Sequence, residues 1–140
     1  MIWFILIVIV LIIIFKFMND LNKDKYDLQG TSLEEKFKVV VNMLNEGAFN
    51  GNGNITKLDN RSFNLYEQGS NQIINFHYGT GTLTITWRYK YFQKEVVHSK
   101  DFYETRNLSI FEQQNIAEQM ISEMIPVVQN HKNNVMKDII

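Results

Sequence analysis

The sequence contains no cysteine. That excludes a disulfide framework, a zinc site built on thiolates, a thiol nucleophile and a lipidated cysteine anchor. Proline occurs once, at Pro126, so there is no proline-rich linker or recognition segment. An excess of one charge is missing too: 14 Lys and Arg face 15 Asp and Glu, for a net charge of −1. With no basic run, the chain lacks the electrostatic footprint of a polyanion binder, and no nucleic-acid partner is expected. The glycines build no phosphate loop. Gly79-Thr80-Gly81 separates two strand-like runs with no helix after it, which reads as a hairpin turn. No cofactor and no metal are expected.

What is present begins with an apolar leader. Residues 2–15 are large and apolar without interruption, and Lys16, Phe17 and Met18 come next. At 1.5 Å per residue, residues 2–18 span roughly 25 Å, near the lower limit for crossing a bilayer core. Trp3 sits where an interfacial aromatic belongs, and Lys16 can reach the headgroups along its own alkyl stem. A cleaved signal would show basic residues before the apolar run and small residues after it, and neither occurs. A core helix of a soluble fold would carry a polar face. The expectation is therefore a retained membrane anchor over residues 1–18, then a polar tether over 19–31 that ends at Gly30 and Thr31. Lys16, Lys23 and Lys25 lie on the C-terminal side of the anchor, so the lysine bias places the C-terminal domain in the cytoplasm. Lys outnumbers Arg and Asn and Ile abound, a bias that suggests an AT-rich bacterial genome and hence a bacterial cytoplasmic membrane.

Residues 32–130 read as one α+β domain, with a polar C-terminal tail over 131–140. Ser32 and Glu35 have capping-box spacing. Leu33, Phe37, Val40, Val41 and Leu44 then fall on one helical stripe, with Gly47 at the place of a terminating glycine. A loop comes next at 50–54, then a short strand near Ile55–Leu58. Period-2 alternation marks Phe63 and Leu65, then Ile74, Phe76 and Tyr78, then Leu83, Ile85, Trp87, Tyr89 and Tyr91. An even-numbered loop at 79–81 keeps the apolar phases of the two longest strands on one face. A last strand over about Val96–Tyr103 succeeds a turn at Gln93-Lys94, with either His98 or Ser99 inward. Ser109 and Glu112 open a second helix with the stripe Ile110, Ala117, Met120, Ile121, Met124, Ile125 and Val128. Pro126 should kink or break it. The order is α-β-β-β-β-α with room for a fifth strand: an antiparallel meander with both helices on one face.

The second face of such a sheet is polar and bare. It carries Asn75, His77, Thr84, Thr86, Arg88 and Lys90, which makes these six the candidate interaction residues. Competing chemistry is thin. His77, His98 and His131 fit no ligand spacing. Glu95, Asp101 and Glu104 oppose Arg88 and Lys90 and read as cross-strand ion pairs rather than an acid/base pair. Trp87, Tyr89 and Tyr91 lie on the apolar phase, away from Arg88 and Lys90, so they are core and not a stacking platform. The functional expectation is a membrane-anchored adaptor or complex subunit with a protein partner and no catalysis of its own. The runner-up is a small-ligand or lipid pocket between sheet and helices, lined by Phe76, Trp87 and Tyr89. A small hydrolase using Asp101, Glu104 or a histidine comes last.

Overall fold

The computed structural model describes residues 1–27 and 31–139. The Gly30 end of the expected tether and the docking of Ile140 lie outside these residues. Helix α1 spans Ile2–Asp27, so much of the expected tether continues the leader as helix. Over Ile2–Asn19 α1 is long and apolar enough to cross a membrane, and none of that window is buried against the rest of the chain. It is therefore no core helix of the domain.

From Leu33 onward the elements are α2 (Leu33–Lys36), α3 (Lys38–Phe49), β1 (Asn54–Asp59), β2 (Ser62–Tyr66), β3 (Gln72–Gly79), β4 (Thr82–Tyr91), β5 (Lys94–Phe102) and α4 (Ile110–Ile139). The strands form one antiparallel sheet in the order β1-β2-β3-β4-β5. The α+β meander expected from the sequence is thus the fold, with the fifth strand present.

The first helical stripe is divided at Phe37, whose φ of −108° and ψ of 31° leave the helical region. The hydrogen-bonded ladder nevertheless runs across it, through Phe37 N–H to the Leu33 carbonyl and Val41 N–H to the Phe37 carbonyl. The bend lets the Phe37 ring seat against Tyr78 at 5.5 Å. Ser32 makes no side-chain cap, whereas the second capping site works: Ser109 Oγ accepts from the Glu112 N–H at 3.1 Å. Gly47 does not end α3. The helix runs on to Phe49, and Asn50 supplies the left-handed cap at φ 52°.

Tyr78 pairs with Leu83, which leaves Thr80-Gly81 as a two-residue turn. Both turn residues have positive φ, at 52° and 76°. That matches the turn whose twist suits a hairpin. The β4–β5 turn is Phe92-Gln93, one residue earlier than the sequence suggested, since Tyr91 pairs with Lys94. It has the same double positive φ with no glycine to ease it. This register puts His98 on the phase of Trp87 and Ser99 on the phase of Thr86, which settles the alternative left open by the sequence.

The core lies between the sheet and the pair α3 and α4. It unites Phe37, Val40, Val41 and Leu44 with Phe63, Leu65, Ile74, Phe76, Tyr78, Leu83, Ile85, Trp87 and Met120. Helix α3 leans on β2, α4 on β4 and β5, and the two helices pack on each other. Neither helix covers β1, all six of whose residues are exposed. As an edge strand it is blunted by Lys57 near its centre and by a bulge between Lys57 and Asp59, two devices that discourage strand addition.

Helix α4 does not stop at Pro126 but continues to Ile139. Its true stripe is Gln113, Ile116, Ala117, Met120, Met124 and Val135. Ile110 and Ile125, expected on that stripe, are 66% and 65% exposed. Ile110 is the first residue of the helix, and Ile125 is rotated about 100° from the buried Met124. Residues 131–139, expected as a tail, are the last turns of α4. Val135 is buried there, Lys94 Nζ meets Asp138 at 3.2 Å and His131 Nε2 lies 2.7 Å from the Lys94 carbonyl.

Candidate functional site

With both helices on one side, the other side of the sheet stays open. Cross-strand register decides which residues share it. His77 lies opposite Thr84, which lies opposite Asp101; Asn75 lies opposite Thr86, which lies opposite Ser99; Ile73 lies opposite Arg88. Since alternate residues share a face, Asn75, His77, Thr84, Thr86, Arg88 and Lys90 all project from the open side. His77, Arg88 and Lys90 are exposed, and Asn75, Thr84 and Thr86 are half-buried among their neighbours.

Lateral hydrogen bonds hold the side chains of Asn75, Thr84, Thr86 and Arg88. Asn75 Nδ2 donates to Asn64 Oδ1 at 2.8 Å, and Thr84 Oγ1 donates to Asp101 Oδ1 at 2.6 Å. The hydroxyls of Thr86 and Ser99 lie 3.0 Å apart. Arg88 Nη1 donates to Glu95 Oε1 at 2.8 Å, with both side chains largely solvated. Such a pair stabilises by about 0–1 kcal/mol at most. The network therefore orders the surface more than it stabilises the fold. A partner landing on a pre-ordered surface loses less side-chain entropy than one that must freeze loose chains.

Toward one end of this face lies a cleft of about 200 Å³ bordered by Tyr66, Asn71, Gln72, Ile73, Arg88 and Lys90. Pockets for small molecules are usually about 300–1,000 Å³, so this one suits a single side chain. The alternation of β3 places Ile73 opposite in phase to Ile74, which was the available signal for an apolar spot on the polar face. Tyr66 gave none, because its strand has only two clear inward residues. The hydroxyl of Tyr66 accepts from the Gly69 N–H at 3.3 Å. Asn71 Nδ2 bonds the Lys90 carbonyl at 3.0 Å, closing the end of the cleft. Beneath it Gln72 bridges two layers: its Nε2 donates to the Ala48 carbonyl at 2.7 Å and its Oε1 accepts from Trp87 Nε1 at 2.9 Å.

At the opposite end of the face, Asp59 closes the β1–β2 turn. Its carboxyl is held below its ordinary value, chiefly by the Arg61 N–H donated at 2.7 Å and then by the Ser62 hydroxyl at 3.0 Å. A carboxyl lowered by folding stabilises fully above its ordinary value and loses that contribution as pH falls through the lower folded one. The expected result is a titration midpoint for Asp59 below 3.8 in carbon-detected NMR. The turn should loosen only under acid conditions, and Asp59→Asn should remove that pH dependence.

The remaining candidates disperse. His77 is on the open face, His98 on the covered face and His131 on α4, so the histidines do not meet across strands. Among the described residues no group of three His, Asp or Glu comes together as a metal site. Asp101 serves Thr84, and Glu95 serves Arg88. Phe76, Trp87 and Tyr89 are buried in the continuous core. No protein-family model matches the chain, no curated protein matches it, and no solved structure matches it.

Proposed function

We propose that the chain is a membrane-anchored protein-interaction module, an adaptor or the subunit of a membrane-associated complex, that docks its partner on the open face of the sheet. The observation that carries this reading is the uncovered surface of Asn75, His77, Thr84, Thr86, Arg88 and Lys90, in which Asn75, Thr84, Thr86 and Arg88 are held by lateral hydrogen bonds. A two-layer domain has no folding need for so ordered a bare face. The cleft beside Tyr66 and Ile73 supplies an anchor point for one partner side chain. The Ile2–Asn19 window of α1, apolar except for Lys16 and Asn19 and unburied, supports insertion in the bilayer, since so much apolar surface is unfavourable in water. The lysines after the anchor support a cytoplasmic domain. A single cysteine at exposed Gln68 should react with an impermeant maleimide only after the cells are lysed.

Thr86 is the position of choice for testing the face. Its neighbour Thr84 bonds Asp101, so a carboxylate at 84 would repel Asp101 across the strands and confuse folding with binding. Thr86→Arg breaks only the contact with Ser99 and should alter stability by no more than about 1 kcal/mol. It plants a long cation at the centre of the face, so partner affinity should fall roughly tenfold or more, or about 1.4 kcal/mol. Partner binding is read by a photo-crosslinking residue at His77, with a second at Glu118 on the outer side of α4 as control. Asp101→Asn keeps an acceptor for Thr84 and should leave binding unchanged. Undiminished crosslinking in Thr86→Arg, or equal adducts from Glu118, would remove the open face as the docking site.

A further inference from the structure

We infer that the pole of the domain at which the chain enters is a bilayer-contact surface, with Ile110, Phe111 and Tyr103 resting in the lipid interface. This rests on α1 being embedded, as proposed above, and adds a second contact that sets how the domain stands. Three connections place the entry point and the start of α4 on one surface. Lys36 Nζ donates to the Arg106 carbonyl, and Gln113 Nε2 donates to the Lys36 carbonyl at 3.2 Å. The backbone N–H and hydroxyl of Thr105 both donate to the Gly81 carbonyl at 2.8 Å, which brings the β3–β4 turn to the same pole.

Covalent length then limits the distance to the membrane. The apolar window of α1 ends at Asn19 and the helix at Asp27, which adds about 12 Å. Six residue steps separate Asp27 from Leu33, and they can bridge at most about 20 Å. The pole therefore lies within about 30 Å of the hydrocarbon edge, and the headgroup layer fills the nearest part of that interval. At this pole Ile110, Phe111 and Tyr103 are 66%, 69% and 72% exposed. Ile110 and Phe111 form the first turn of α4, where polar residues are the rule, and they pack on none of the core. A tyrosine ring with its hydroxyl suits the membrane–water boundary. Asp101, Glu104 and Glu112 border one shallow groove with Tyr103, and against Lys36 and Arg106 at the same pole they leave no positive excess, so the contact depends on apolar burial rather than on attraction to anionic lipid, and salt should not release it. Strand β3, eight residues long, ends at this pole and begins at Gln72 beside the cleft. Standing on the pole, the domain holds that cleft about 25 Å farther from the bilayer.

The absence of native cysteine makes the test direct. The full chain is placed in phosphatidylcholine vesicles with a polarity-sensitive dye on Phe111→Cys, on Tyr103→Cys or, as the distal control, on Gln68→Cys. A parallel set uses lipids brominated in the acyl chain, and alkaline carbonate washing reports whether α1 is embedded. The expected result is a blue-shifted emission at 111 and 103 that brominated lipid quenches several-fold more than at 68, unchanged by salt. Water-like emission at all three sites in carbonate-resistant vesicles would overturn the pole contact while α1 stays anchored. Loss of the chain from the vesicles would overturn the anchor and the pole together. A blue-shifted signal that brominated lipid fails to quench would mean that a protein surface, such as a second copy, covers the pole, and would overturn the lipid assignment.

Discussion

Phe76→Ala is expected to lower stability by about 3–5 kcal/mol, the usual cost of deleting a buried phenyl ring. The residue is fully buried and its ring stacks on Phe63 at 4.7 Å with the planes 12° apart. Ile74 and Tyr78 on its own strand and Ile85 across from it are equally buried. Close packing limits how far these buried neighbours can relax into the void, so a cavity term adds to the lost transfer energy. A domain of this size has about 5–15 kcal/mol in total, and the variant should sit near the edge of folding. Urea titration of the full chain in mild detergent, monitored through Trp87 fluorescence, measures the loss. The same experiment addresses the pocket between sheet and helices that the sequence left open. A partly empty pocket would let the site collapse and the loss would fall below about 2 kcal/mol. A loss in the upper range means a filled core, which leaves the open face as the surface on which to seek a ligand.

The central hairpin was legible because two independent signals agree there. The apolar phases of β3 and β4 can share a face only if the connecting loop is even, and Thr80-Gly81 contains the one residue type that tolerates positive φ without strain. Once that register is known, the six open-face residues are set by alternation, which is why the candidate surface could be drawn from sequence. Where a second signal was missing, the reading slipped. Phe92-Gln93 adopts the same turn with residues that have no preference for it, so the β4–β5 boundary was placed one residue late. The inward residue, His98 or Ser99, depends instead on whether that turn has an even or an odd number of residues, and no glycine marks its length. Strand β1 is exposed on both faces, so no amphipathic pattern exists to reveal its length. The Gly47 reading failed for a related reason: α3 continues because Phe49 is buried and Asn45 ties back to Gly53, whose N–H it accepts at 2.8 Å. Tertiary burial there outweighs a helix-ending glycine. Ile110 and Ile125 fit the stripe by spacing, because hydrophobicity alone cannot tell a core position from a surface one. Ile110 instead lies exposed in the first turn of α4.

Pro126→Ala is expected to stabilise the domain by about 2 kcal/mol. A proline inside a helix forgoes one hydrogen bond and crowds the preceding turn, at about 3 kcal/mol relative to alanine. Its ring also narrows the unfolded ensemble, which returns about 0.4–1 kcal/mol. Helix α4 tolerates it because Pro126 and Ser122, whose carbonyl loses its partner, are both on the exposed side. Water can satisfy that carbonyl, while Met124 before it belongs to the core and Val135 after it is buried. The urea midpoint should rise with an unchanged slope. Fraying is the second observable. The turns after Pro126 carry the Lys94–Asp138 ion pair and place Met136 Sδ 3.8 Å from the Tyr91 hydroxyl, and their amides should exchange more slowly in the variant. The opposite outcome has a clear physical meaning. If Pro126→Ala destabilises the chain and speeds exchange beyond Asn130, the proline sets a bend that the packing of α4 requires, and straightening the helix exposes the buried Val135. Stability would then come from the shape of the helix rather than from its hydrogen bonds, and the single proline of the sequence would be a packing device.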